Sequence, residues 1–246
     1  MSPLNSSRVY VIEGCDGAGK SAFVKKLSSL LNLQGKQTYT AHAPDRTLPV
    51  GKFVREQVLN PKGFLSQYGK DNEDDVVKRL FAKSIEEVGC HLYHHFQENP
   101  DCHYVIDRWW PSFFSYQFPL SQKTPDQIYE TVKDGLETIF PSSKYKEDNN
   151  FFSHLRYPNI VYMDFPTEKE NPTVYQFMMK NRMNDKRGKE VSVYDENLPL
   201  QHQVRNNYLR LFDTLKTKDF PIRLFLTHCL NPQNDKVLDY FQKGVS

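Results

Sequence analysis

The segment Gly14-Cys15-Asp16-Gly17-Ala18-Gly19-Lys20-Ser21 carries the full pattern G-x-x-x-x-G-K-[ST]. Residues of these types at this spacing do one kind of chemistry. Successive backbone N–H groups cradle the phosphates of a nucleoside triphosphate, and the positive end of the following helix adds to the attraction. Gly14, Cys15, Gly17, Ala18 and Gly19 are expected to bind ATP through the main chain, Lys20 to bridge its β- and γ-phosphates, and Ser21 to ligate Mg2+. A second pair, Asp107-Arg108, ends the apolar run His103 to Ile106. There Asp107 can organise the metal and its waters while Arg108 handles a second anion. That combination suits a small-molecule kinase. A GTPase needs a guanine-reading N-K-x-D, and the chain has no Asn-Lys pair. A motor ATPase normally ends an apolar strand in consecutive acidic residues, where this strand ends in Asp107-Arg108.

The elements that must position these groups follow from periodicity. Arg8 to Glu13 is a short β-branched run, and Ser21 to Leu33 carries Phe23, Val24, Leu27, Leu30 and Leu31 at helical spacing, so the loop joins a strand to a helix. Gln37 to Ala41, His103 to Ile106, Asn159 to Phe165 and Ile222 to Leu226 read as four further strands. Between them Val54 to Leu59, Asp74 to Phe96, Asp126 to Ile139, Pro172 to Asn181 and Leu198 to Leu215 read as helices, and Asn231-Pro232 caps a last one. Thr124-Pro125 is an N-cap followed by proline at the first helical position. Ser142 to Asn150 is polar and unpatterned, a candidate mobile loop. Strands alternating with helices imply an α/β fold with a five-stranded parallel sheet flanked by helices.

At 246 residues the chain is long enough for one such domain, 1–246, and short for two. Thirty-two Lys and Arg against thirty Asp and Glu leave too little net charge for a nucleic-acid-coating or membrane-surface protein. No apolar run approaches ~20 residues and no signal peptide is visible. Four scattered cysteines with no C-x-x-C pair suit a reducing compartment, so the cytoplasm is expected, with the nucleus as the other such compartment.

The motifs together resemble the thymidylate kinase family of P-loop nucleoside monophosphate kinases. Glu13 to Ser21 is similar to the family's E-G-x-D-G-A-G-K-[ST]; Pro44-Asp45-Arg46 with Val50-Gly51-Lys52 is similar to its P-E-R and I-G-K; Asp107-Arg108-Trp109 with Ser112, Tyr116 and Gln117 is similar to D-R-[YFH] and S-x-x-x-Y-Q. Tyr194-Asp195-Glu196, with Val204-Arg205 and Tyr208 downstream, resembles the segment after the family's lid, placed here at about 182–196. The resemblance implies transfer of the ATP γ-phosphoryl group to a deoxynucleoside monophosphate, dTMP foremost, and a homodimer. It implies that Arg46 and Arg108 hold the acceptor's phosphate, that Asp16 approaches its sugar and phosphate, and that Phe81 stacks on its base. Tyr116 would screen the 2′ carbon, with Ser112 and Gln117 lining the base pocket.

Two departures bear on mechanism. Gly17 stands where many eukaryotic members carry an arginine, so the transition-state cations are expected from the basic stretch 180–189: Arg182 and Arg187, helped by Lys186 or Lys189. Ile85 stands one helical turn after Phe81, where the family reads thymine with an arginine. Arg79, Lys83 or Gln117 would have to substitute, or the base is not thymine. The alternatives are a deoxynucleoside kinase, against which Arg46 argues, and a non-catalytic nucleotide-binding sensor or scaffold.

Overall fold

A computed structural model describes residues 8–66, 75–141, 149–164, 168–173, 175–176, 198–228 and 237. Five strands, β1 (Val9–Glu13), β2 (Thr38–His42), β3 (His103–Asp107), β4 (Asn159–Asp164) and β5 (Arg223–His228), form one sheet in the order β2-β3-β1-β4-β5. Every pairing is parallel. β1 is buried at every residue and β3 at all but its last, as expected of strands covered on both faces. The register sets Ile12 beside Asp107 and His42 beside Asp107, so the ends of β1, β2 and β3 come level. Because β2 lies on one side of β1 and β4 on the other, the chain reverses direction across the sheet at β1 and β3, where such sheets open a ligand crevice.

Helix α1 (Lys20–Leu33) follows the glycine-rich loop and buries Phe23, Val24, Leu27 and Leu31. A short α2 (Pro49–Phe53) runs on into a π-helical turn (Val54–Leu59), then α3 (Asp75–Glu98) buries the stripe Val77, Phe81, Ile85, Val88 and Leu92. Helix α4 (Trp110–Gln117) is buried throughout. Helix α5 (Pro125–Ile139) starts with Thr124 and Gln127 in a reciprocal capping box, which satisfies two N–H groups that would otherwise lack partners. Helix α6 (Asn149–Arg156) corrects the expectation of a loop reaching Asn150. Its polar first residues hide a helix whose Phe151, Phe152 and Leu155 are buried, while 142–148 lie outside the described residues. Helix α7 (Leu198–Thr217) buries Val204, Tyr208, Leu211 and Leu215 as its spacing predicts. Of the expected helix at 172–181, the described residues 172, 173, 175 and 176 are helical. Of the last expected helix, residue 237 is described and is helical, and the lid at 182–196 lies outside the described residues. None of the described helices is long and apolar enough to cross a membrane.

One packing detail places Arg46. Glu87 of α3 accepts hydrogen bonds from the Val50 and Gly51 N–H groups, both 3.0 Å, and so caps α2 with an anion at its positive end. Asp45 folds onto Thr47, accepting from its N–H and hydroxyl at 2.7 Å, and a cis bond joins Ala43 to Pro44. Gly51 packs directly against this turn: a Cβ there would meet the Asp45 carbonyl oxygen at 2.0 Å, backbone against backbone. Gly51→Ala is therefore expected to destabilise the protein by about 1–3 kcal/mol, read as a lowered denaturant midpoint.

Candidate active site

The site begins with the loop's backbone. Gly14 leaves β1 at φ 141°, and a Cβ on it would lie 2.4 Å from the Met163 carbonyl oxygen, so only glycine lets the loop start this close to β4. Gly17 and Gly19 are both left-handed at φ 85°, and Gly19 begins α1 without any side-chain cap. The helix thus keeps its first N–H donors for a ligand. Cys15 and Ala18 are buried beneath the loop, and burial pushes the Cys15 thiol up to about 12, so it packs as a neutral group. Lys20 is buried, and its Nζ donates to the Cys15 carbonyl at 2.8 Å, folded over the loop it is expected to serve. Burial, helped by Arg108, lowers its ordinary pKa, which an arriving polyphosphate would reverse.

Ser21 and Asp107 come together as their types suggest. The Ser21 hydroxyl donates to Asp107 Oδ2 at 2.9 Å, while Oδ1 of the same carboxylate is buried with no hydrogen-bond partner among the described residues. A buried carboxylate oxygen left unpartnered beside a hydroxyl is an all-oxygen donor set of the kind Mg2+ takes, so these residues fit the metal that ATP chemistry requires.

Arg108 adopts φ 67°, a left-handed backbone, and its guanidinium is ion-paired with Asp16 across the crevice. It also lies 5.2 Å from the Tyr116 ring centroid and donates to the Ser112 hydroxyl at 3.4 Å. Beyond it opens a cavity of about 420 Å3, of a size to hold a small ligand. Asp16, Arg46, Phe81, Arg108, Ser112, Tyr116 and Gln117 all line it, so one cavity gathers the residues expected at the acceptor, and Ser21, expected at the metal, lines it too. Arg182 and Arg187 lie outside the described residues. Ile85 lines the cavity too. Of its three candidate substitutes only Gln117 does so; Lys83 instead pairs with Glu86 at 2.5 Å, and Arg79 is not at the wall.

Three residues at this site were not expected. Arg55, in the π-helical turn, lines the cavity and donates through Nε to the Pro44 carbonyl at 2.7 Å. Burial, with Arg46 and Arg108 nearby, draws it down to about 10: three crowded guanidiniums invite an anion. No motif marks it. Gln201 on α7 approaches Asp16 from both sides, accepting from its N–H at 3.4 Å and reaching its carboxylate at 3.5 Å. Finally, His42 ends β2 with Nδ1 3.0 Å from the Asp107 carbonyl. A carbonyl only accepts, so Nδ1 carries the proton and the ring is held as one neutral tautomer. The sequence signal was present, a titratable residue closing a strand level with Asp107, but nothing distinguished it from a surface histidine.

A phosphate-binding loop at the switch point of a parallel sheet, with an oxygen pair for a metal and an arginine-lined cavity beside it, defines a P-loop nucleotide phosphotransferase. Comparison with known proteins agrees. The thymidylate kinase family model matches residues 12–136, just over half of the chain. A thymidylate kinase of Thermosipho africanus is 29% identical over 209 residues, 81% of either chain. One from Chlorobaculum tepidum is 32% identical over 43% of this chain and 45% of its own. One from Schizosaccharomyces pombe is 29% identical over 44% and 47%. The chain belongs to the thymidylate kinase family, ATP-dependent nucleotide kinases.

Burial, followed by the charge of Arg55, lowers His42 from 6.5 to about 4. The folded protein therefore refuses a proton that the unfolded chain accepts, so this group weakens stability progressively as pH falls from 6.5 toward 4. An NMR titration of the imidazole should show a midpoint near 4; a midpoint near 6.5 would mean that His42 is open to solvent.

Proposed function

We propose that this chain converts dTMP to dTDP, with ATP as donor and Mg2+ bound at Ser21 and Asp107. The observation that carries the reading is one cavity lined by Arg46, Arg55 and Arg108, crowded together beside Asp16 and Ser21, and also by Phe81, Phe113 and Ile85. A monophosphate with a planar base has that division of charge and surface.

The reaction needs no general base, because the acceptor's phosphate oxygen is already anionic. That oxygen forms a bond to the γ-phosphorus as the bond from phosphorus to the β,γ-bridging oxygen breaks, and the electron pair leaves with ADP. Catalysis is then positioning and neutralisation. The loop N–H groups from Gly14 to Gly19 hold the donor, and Lys20 turns from the Cys15 carbonyl to the β- and γ-phosphates. Bound magnesium would neutralise the charge on those phosphates. Arg46, Arg55 and Arg108 grip the acceptor's phosphate, and Asp16 keeps the Arg108 guanidinium facing the loop. Phe81 stacks on the base, Gln117 offers it a hydrogen-bonding group, and Tyr116 closes the space where a ribose 2′-hydroxyl would sit. Ser112, whose hydroxyl is taken up by protein partners, walls the pocket without reading the base. Arg182 and Arg187 on the lid close over the transferring group in place of a cation at Gly17. The reading extends to a single domain over 1–246, a homodimer, and a cytoplasmic protein working on ATP and a nucleoside monophosphate without nucleic acid or membrane.

ADP release should follow addition of dTMP and not of thymidine. Turnover of thymidine alone would make this a deoxynucleoside kinase, and ATP binding with no acceptor-dependent turnover would make it a sensor or scaffold. Arg46→Ala and Arg108→Ala should each lower kcat/KM for dTMP by about 100-fold, the loss expected when charge-assisted hydrogen bonds to a phosphate disappear, while ATP still binds.

A further inference from the structure

Glu13 is completely buried at the end of β1, and the structure surrounds its carboxylate with neutral donors. Oε1 accepts from the Trp109 N–H at 2.7 Å and from the Ser112 N–H at 3.4 Å. Oε2 accepts from the Ser112 hydroxyl at 2.5 Å and the Tyr208 hydroxyl at 2.8 Å, and those two hydroxyls are 2.7 Å apart. A buried carboxylate is costly unless it is fully hydrogen-bonded, and this one is held by two helices at once, α4 and α7.

We infer that Glu13 is the positioning residue for Arg108, fixing through Trp109, Ser112 and Tyr208 the backbone from which that guanidinium reaches the acceptor's phosphate. The inference rests on the proposed role of Arg108. The left-handed backbone at Arg108 costs about 1–2 kcal/mol for a side chain of this kind, so the surrounding structure must enforce it. Neighbouring residues of β1 do so from both sides. The Ile12 carbonyl accepts the Arg108 N–H at 3.0 Å, and the Glu13 carboxylate accepts the N–H of the next residue, Trp109. The peptide units flanking Arg108 are therefore both tied to the strand that leads into the phosphate loop. Ser112 adds a hold on the side chain: its hydroxyl accepts from Arg108 Nη1 while donating to Glu13. Trp109 and Ser112 sit at the N-terminus of α4, where the positive end of the helix dipole also favours a carboxylate. Among the described residues, the hydrogen bonds of the Glu13 carboxylate run to Trp109, Ser112 and Tyr208 and none to the phosphate loop.

The test separates reach from charge. Glu13→Asp keeps the charge but withdraws the carboxylate by one methylene from Trp109 and Ser112. It should cut kcat/KM for dTMP by about 100-fold, as misplaced catalytic groups do, with KM for ATP within about twofold. Glu13→Gln keeps the length, and the two hydroxyls can turn to accept from its amide, so it should recover to within about tenfold of the parent protein. A purely structural Glu13 would lower the melting temperature of both variants without separating the two substrates. Unchanged dTMP kinetics in Glu13→Asp, or dTMP and ATP constants rising together, would overturn the inference. Should Glu13→Asp fail to fold, Tyr208→Phe removes one donor at constant volume. It should raise KM for dTMP by about 3- to 10-fold with ATP unaffected, and an unchanged value would overturn the inference equally. If the unaltered protein does not turn over dTMP at all, the proposed function fails first, an outcome distinct from normal turnover with insensitive variants.

Discussion

The ion pair between Asp16 and Arg108 is the contact on which the rest of the site depends. One partner sits in the phosphate loop after β1 and the other just after β3, so the pair forms only because those strands are hydrogen-bonded neighbours with level ends. Removing one member of a largely buried pair would leave the other charge uncompensated, which is more damaging than the pair is stabilising. The surroundings reflect that asymmetry. Gln201 reaches Asp16 from α7, Tyr116 lies beneath the guanidinium, and Ser112 receives its Nη1. The pair also stands at the border between the phosphate loop and the cavity, where a donor and an acceptor phosphate would meet.

The α7 helix draws the same border from the other side. Arg205 grips Asp164 at the end of β4 with two bonds of 2.8 Å, Tyr208 reaches Glu13 at the end of β1, and Asn207 donates to the Ser115 and Phe118 carbonyls at the end of α4. One helix thus ties two strand ends and the helix carrying Ser112 and Tyr116 into a rigid frame. Positional precision at the crevice is a property of that frame, since a guanidinium on a mobile support could not select one phosphate geometry.

The parts legible in the sequence were those whose chemistry is local. The phosphate loop needs its glycines and lysine within one turn of chain, and Thr124-Pro125 announces a helix within two residues. Asp107 and Arg108 were visible because an apolar strand ends abruptly in charge. What stayed hidden depends on long-range packing. Arg55 becomes a cavity residue only through the fold of the 44–59 segment, which has no signature of its own. The helix Asn149–Arg156 was masked by a polar start, because its helical character comes from Phe151, Phe152 and Leu155 meeting α3 and the sheet. Ser112 was expected to line the base pocket, and it lines the cavity. Its hydroxyl turned out to be spent on Glu13 and Tyr208, a partnership between positions 13, 112 and 208 that no local pattern encodes.

The two ends of the site are built from different materials, and this decides which of them can change. The phosphate loop offers main chain: the N–H groups of a glycine-rich turn, a helix terminus without a side-chain cap and one buried lysine. The cavity beside it is walled by side chains, from α3, from α4 and from the 42–59 segment. Ile85 illustrates the point. It is buried in the α3 stripe between Phe81 and Val88, so an apolar residue satisfies the fold there as well as a cation would satisfy a base. Among the described residues that line the cavity, Gln117 carries the one side-chain amide. An amide offers both donor and acceptor, whereas a guanidinium only donates. A base bound in this cavity would meet Phe81, Ile85 and the Gln117 amide, whereas a phosphate would meet the guanidiniums of Arg46, Arg55 and Arg108.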